Sequence, residues 1–271
     1  MTLCIAAISA DFSSNGMGRE LIFCSDQRIE TSSYGSETEF KFHKVTDEWA
    51  ALIAGDVGRA HELLGLYTCH LIGKAFDEAK CLTDLRVPPQ QMKRTLANEH
   101  VANATGLSLD EFLDRGQSSL PPAMFETIWN DIARIEIGCQ IILAPISANW
   151  ALFLVDADGS VEARKSFCSI GSGASSAEAW LHFREQEPSF GFMRTTVHLL
   201  EAKRFAENAP GVGKKTTLTW IDKEKNLHIP LGCEEIEEGV WKEYGPRPTE
   251  DAKVSFPKDL APSPWTQTGI G

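Results

Sequence analysis

Thr2 is the residue whose type and place in the chain most directly suggest chemistry. A hydroxyl is a poor nucleophile at neutral pH and needs a neighbouring base. A threonine at the start of a chain has one of its own, because a free α-amino group titrates near 8. Removal of Met1 by a general aminopeptidase gives Thr2 that amine, and the small threonine side chain suits such processing. Read by itself, Thr2 is equally the residue that follows a start codon. Other patterns fail on spacing. The run GVGKKTT resembles a phosphate-binding loop, but GxxxxGK[ST] needs glycine where Asn208 stands and Ser or Thr where Lys215 stands. The histidines at 43, 61, 70, 100, 182, 198 and 228 form no HExxH or HxH pair, and the seven cysteines form no CxxC. No metal or other cofactor is implied.

The surrounding elements place Thr2 at the head of a strand. TLCIAAIS is an apolar β-type run, DFSSNGMGRE supplies turn chemistry, and LIFCSD is a second strand. FKFHKV and WAALIAG follow as two more. After Gly55 the period changes: Ala60, Leu63, Leu64, Tyr67, His70 and Leu71 recur at helical spacing, with Asp56 where an N-terminal anion is favourable. Val87-Pro88-Pro89 predicts a helix that starts beyond it and runs to about 103; Ser108 to Glu111 predicts a second start, and helical spacing resumes over 123–134. A second β block, IGCQIILAPI, NWALFLVD and VEARKSFCSI, leads through Gly171-Ser172-Gly173 into helices over 175–185 and 195–207 and a closing hairpin, TTLTWID with LHIPL. Blocks of strands and helices, without βαβ alternation, predict an α+β fold with two antiparallel sheets covered by helices.

The run TLCIAAIS, LIFCSDQR, FKFHKV and ALIAGDVGRAHELL resembles the first four strands and first helix of proteasome β-type subunits and their bacterial Anbu-like relatives, a family of N-terminal-nucleophile hydrolases. The mid-chain segment ending in Gly-Ser-Gly is similar to that family's central hairpin. The resemblance covers roughly 2–72 and 135–225. It implies a four-layer αββα sandwich, with Thr2 as nucleophile, Asp26 and Lys41 as its charged partners, Gly55 following the fourth strand and Ser172 assisting. It further implies that Arg28 stands beside the aspartate, that Ile29 to Thr31 pair with an extended substrate, and that Ile53 and Val57 line the pocket for the residue before the scissile bond. The types make physical sense. A lysine lowers the cost of a threonine alkoxide, an aspartate holds the lysine inside the fold, and a backbone N–H near Gly55 can receive an oxyanion. Lys41 and Lys44 fall on opposite faces of a regular strand, and the distance from Asp26 selects Lys41. At the later family site, where an Asp and a Ser are expected, this chain has Asn208 and Gly211.

The expected organisation is one domain over 1–244, with a helical insertion near 85–122 and a Pro-rich tail over 245–271. A net charge of −12 argues against a nucleic-acid partner, and no apolar run reaches the ~18 residues of a membrane span. The opening apolar run is too short for a signal core, so a cytoplasmic protein is expected. The function expected is a threonine-type peptidase or amidase, acting on a peptide or a small amide through an acyl-enzyme and assembled as a homo-oligomer, in a ring or a helical stack. The alternative is a catalytically silent proteasome-like shell or scaffold subunit that retains Met1.

Overall fold

Short, nearly continuous apolar runs, buried on both faces, build two sheets from this chain. A computed structural model describes residues 2–11, 18–30, 35–37, 41–74, 76–146, 151–229, 238–239 and 241–243, with 28–30 and 35–37 described by backbone alone. Thr31 and the tail over 245–271 lie outside the described residues. In chain order come β1 (Leu3–Asp11), β2 (Gly18–Asp26), a short pair β3 (Arg28–Glu30) and β4 (Gly35–Glu37), β5 (Phe42–Thr46) and β6 (Trp49–Gly55). Helices α1 (Val57–Leu71), α2 (Glu78–Thr105), α3 (Leu109–Ser119) and α4 (Pro122–Ala133) follow. Then come β7 (Cys139–Pro145), β8 (Leu152–Val155), β9 (Val161–Arg164), β10 (Phe167–Gly171), α5 (Ala174–Phe183), α6 (Phe192–Ala206), β11 (Thr216–Ile221) and β12 (Leu227–His228).

The fold is mixed α+β with two five-stranded sheets, ordered β10-β1-β2-β11-β12 and β5-β6-β7-β8-β9, and every strand pair within them is antiparallel. Alternate residues of each strand enter different apolar clusters. Cys4, Ala6, Ile8, Leu21 and Phe23 of the first sheet meet Phe42, Ala50, Leu52, Ala54, Ile142 and Ala144 of the second. The odd-numbered residues of β1, Leu3, Ile5 and Ala7, pack instead with Ala177 and Leu181 of α5 and Leu199 and Ala202 of α6. On the far side of the second sheet, Ala51, Ile53, Ile141 and Leu143 pack with Leu63, Leu64 and Tyr67 of α1 and Leu85 and Met92 of α2. β1 is therefore buried on both faces, which accounts for its unbroken apolar run.

Helix α2 corrects the sequence reading. It begins at Glu78 and passes through Pro88 and Pro89, where the sequence predicts a start only beyond them. Proline costs a helix interior a hydrogen bond to the carbonyl four residues back. For Pro89 that carbonyl belongs to Leu85, and the buried Tyr67 hydroxyl donates to it at 2.8 Å. A side chain of α1 thus satisfies the group that proline frees. The start signal at Ser108 does open α3, as a capping box with Glu111.

Candidate active site

The first turn of chain and the end of β2 meet at one corner of the first sheet. β1 and β2 pair in a register that sets Cys4 opposite Ser25, so Asp26 comes beside Leu3. Asp26 Oδ1 accepts from Thr2 Oγ1 at 2.7 Å and from Leu3 N at 2.9 Å. The Lys41 ammonium reaches the same corner from the start of β5 and donates to both Thr2 Oγ1 and Asp26 Oδ1. Thr2, Asp26 and Lys41 are 5%, 0% and 4% exposed. The structure therefore gathers a hydroxyl, a carboxylate and an ammonium inside the fold, each in contact with the other two. Lys44 points away; it is exposed and bonds Asp47 at 2.6 Å.

A buried charge is costly unless paired and hydrogen-bonded. Asp26 meets that condition on both oxygens, since Oδ2 accepts from Gly213 N at 2.7 Å. Gly213 lies in the GVGKKTT run, so those glycines serve the aspartate through the main chain. A backbone donor carries no side-chain signature, which is why sequence reasoning missed it. The ammonium of Lys203, fully buried on α6, holds the same loop by bonding the Lys214 carbonyl and the Glu207 carboxylate. That residue was also missed, because a lysine near a helix end reads as a solvated one.

Ser172 lies in the Gly171–Gly173 turn, where its hydroxyl donates to Pro210 O at 3.0 Å and lies 3.4 Å from Thr2 O. Gly173 N also faces Thr2 O at 3.4 Å. Gly171 takes φ +93°, and a Cβ there would stand 2.2 Å from Thr2 O, so a side chain is excluded. Asn208 turns away from the corner, with its amide donating to Phe205 O at 3.0 Å, and Gly211 takes φ +82°.

The remaining sequence candidates fall into two groups. Gly55 ends β6, opposite Cys139, with φ +93° and exposed; a Cβ would lie 2.8 Å from Gly138 O. Ile53, two residues earlier, is 3% exposed and packs beneath α1, while Val57 is half-buried in the first turn of that helix, which Asp56 caps through Arg59 N. β6 is tied to the corner by Ile53 N to Lys41 O at 3.3 Å and by Cys4 Sγ to Ile53 O at 3.3 Å. Arg28 and Ile29 belong to β3, whose backbone pairs with β4 on one edge. Thr31 is outside the described residues.

Cys4, two residues along β1 from Thr2, is a further nucleophilic side chain beside this cluster. Burial pushes its thiol up to about 12, against the pull of the Lys41 charge, so it stays protonated and is a poor competitor to a hydroxyl held beside that ammonium. The described residues contain no group of three or more His, Cys, Asp or Glu side chains placed to hold a metal ion, and none of their helices is long and apolar enough to cross a membrane. No protein-family model matches the chain, and no curated protein matches it as a relative.

Proposed function

We propose that the chain is a threonine-type N-terminal-nucleophile hydrolase, a peptidase or amidase whose layered sheets form the four-layer αββα sandwich of that class. The observation that carries this reading is the buried triangle of Thr2 Oγ1, Asp26 carboxylate and Lys41 ammonium. A structural ion pair needs no hydroxyl in contact with both its charges. A threonine nucleophile is helped by an adjacent cation, and removal of Met1 would give this one an amine of its own.

With Met1 removed, the Thr2 amine takes the Oγ proton as Oγ attacks the substrate carbonyl. The Lys41 ammonium offsets the charge that develops on Oγ, and Asp26 fixes the lysine in place. The tetrahedral oxyanion is received by the backbone N–H at Gly55. Collapse breaks the C–N bond, the leaving amine takes the proton from the Thr2 ammonium, and an ester remains on Thr2. Water then gives a proton to the amine and attacks the ester, releasing the acid and restoring the hydroxyl. Val57 forms the rim and Ile53 the floor of the pocket for the residue before the scissile bond. The edge of β3 not used by β4 pairs with an extended substrate, near Arg28, Ile29 and Thr31. A homo-oligomer would enclose such a site; native mass spectrometry giving only a 29.9 kDa species would remove that part of the proposal.

The test is to treat the purified protein with a β-lactone and map the adduct, with Thr2→Ala as control. An ester on Thr2 supports the reading, and an unmodified protein sinks it. Asn208 favours a second reading, a silent shell subunit with Met1 retained, because its amide bonds Phe205 O and puts no carboxylate beside Ser172. N-terminal sequencing separates the two: retained Met1 blocks the amine and excludes the mechanism.

A further inference from the structure

The Gly171–Gly173 turn belongs to the first sheet, but a side chain of the second sheet holds it. Gln140 on β7 accepts from Gly171 N through Oε1 at 2.9 Å and donates through Nε2 to Asp156 Oδ1 at 2.7 Å. Asp156 is itself braced, since Oδ1 accepts from Ala157 N at 2.7 Å and its backbone N donates to Ser160 O at 3.0 Å. The carboxylate can only accept, so it fixes which end of the Gln140 amide faces Gly171. In the β6–β7 ladder Gln140 stands opposite Ala54, the residue before Gly55. Gly171 in turn pairs with Leu3 and leaves no room for a Cβ against Thr2 O, so a displacement of the turn is passed to the Thr2 main chain.

We propose that Gln140 is a positioning residue for Thr2: bridging the sheets from Asp156 to Gly171, its amide sets the Thr2 main chain against the end of β6 that carries Gly55. This rests on the hydrolase reading above. Nucleophile and oxyanion donor come from different sheets, and apolar packing alone does not fix their separation to a fraction of an ångström. Directional hydrogen bonds do. Gln140 touches no reacting atom, and its effect passes through the turn.

The test uses the whole chain in three forms besides the natural one: Gln140→Leu, Gln140→Glu, and Gln140→Glu combined with Asp156→Asn. Kinetics on a fluorogenic peptide are read beside amide hydrogen exchange over 169–174. A misplacement near 1 Å costs about 10²-fold in rate, so Gln140→Leu should lower kcat by about 10- to 100-fold while KM moves less than about threefold. Exchange at the turn should quicken by about tenfold, with the strands away from the corner unchanged. Gln140→Glu sets two carboxylates together and should lose activity as well. The double variant removes the repulsion, because Glu accepts from both Gly171 N and the new Asn amide at the cost of the Ala157 N bond, and should recover part of kcat and slow exchange relative to Gln140→Glu. Natural exchange at the turn or natural kcat in Gln140→Leu overturns the proposal, as does a double variant no better than Gln140→Glu. A natural protein that forms no Thr2 adduct with the β-lactone defeats the hydrolase reading and the catalytic half of this proposal together. The exchange comparison then still decides whether Gln140 holds the turn.

Discussion

Two ion pairs with buried carboxylates, one at the Thr2 corner and one between α5 and α6, differ in the third group that touches them. Lys41 and Asp26 have side chains 5% and 0% exposed, and the ammonium has a third contact, the Thr2 hydroxyl. Arg184 and Glu201 are 34% and 1% exposed. Arg184 grips the carboxylate through both Nε, at 2.7 Å, and Nη2, and the third partner is the Trp180 indole N–H at 3.2 Å. That indole only donates. The second pair thus closes on itself and locks two helices, while the first holds an atom that can attack. Burial of charge is common to both and identifies neither as a site; the proposed function rests on the hydroxyl.

Altering each pair sharpens that contrast. The largest effect is expected from Lys41→Met, which removes the cation beside Oγ: β-lactone labelling of Thr2 per folded molecule should fall by about 10³-fold or more. Leaving Asp26 unpaired should also cost about 3–5 kcal/mol in urea unfolding. Glu201→Gln should cost about 2 kcal/mol, less than a fully buried pair because Arg184 reaches water, and should leave Thr2 labelling of the folded fraction unchanged. Equal loss of labelling in both variants would erase the distinction between the corners. Tyr67→Phe, remote from both, should cost about 1–2 kcal/mol by orphaning Leu85 O, again without a change in labelling.

The smallest effect is a pH dependence at the α5–α6 corner. Burial, and then the charges of Arg184 and Arg194, push His198 from 6.5 down to about 4. The folded imidazole binds its proton less readily than the unfolded one. Its contribution is therefore fully present above pH 6.5 and is lost as the pH falls toward 4. Melting temperatures should drop more steeply over that window in the natural protein than in His198→Gln. Parallel curves would show that the histidine does not couple to folding.

Much of this was legible in the sequence, and the misses share a cause. The strands could be read from local apolar runs bounded by turn residues, whereas Thr2, Asp26 and Lys41 were picked out by the family resemblance, and the structure brings their side chains together. The odd spacing of Lys41 and Lys44 put them on opposite faces, and the distance from Asp26 chose Lys41. Pro88-Pro89 misled, because its remedy is a tyrosine hydroxyl on another helix. Gly213 and Gln140 were missed for a related reason. One acts through a backbone N–H and the other through an amide whose partners, Gly171 and Asp156, only the folded chain brings near. Contacts that join distant segments leave no periodic trace.

β1 is the first strand in sequence and lies between two others, with Leu3 facing Gly171 across the ladder. A ribosome therefore makes this strand long before its second neighbour exists, and pairings so far apart close late. Until then one edge of β1 is open to solvent; afterwards Thr2 is 5% exposed. The corner is thus assembled from its β2 side first and closed from its β10 side last, so its geometry is complete only once the middle of the chain exists.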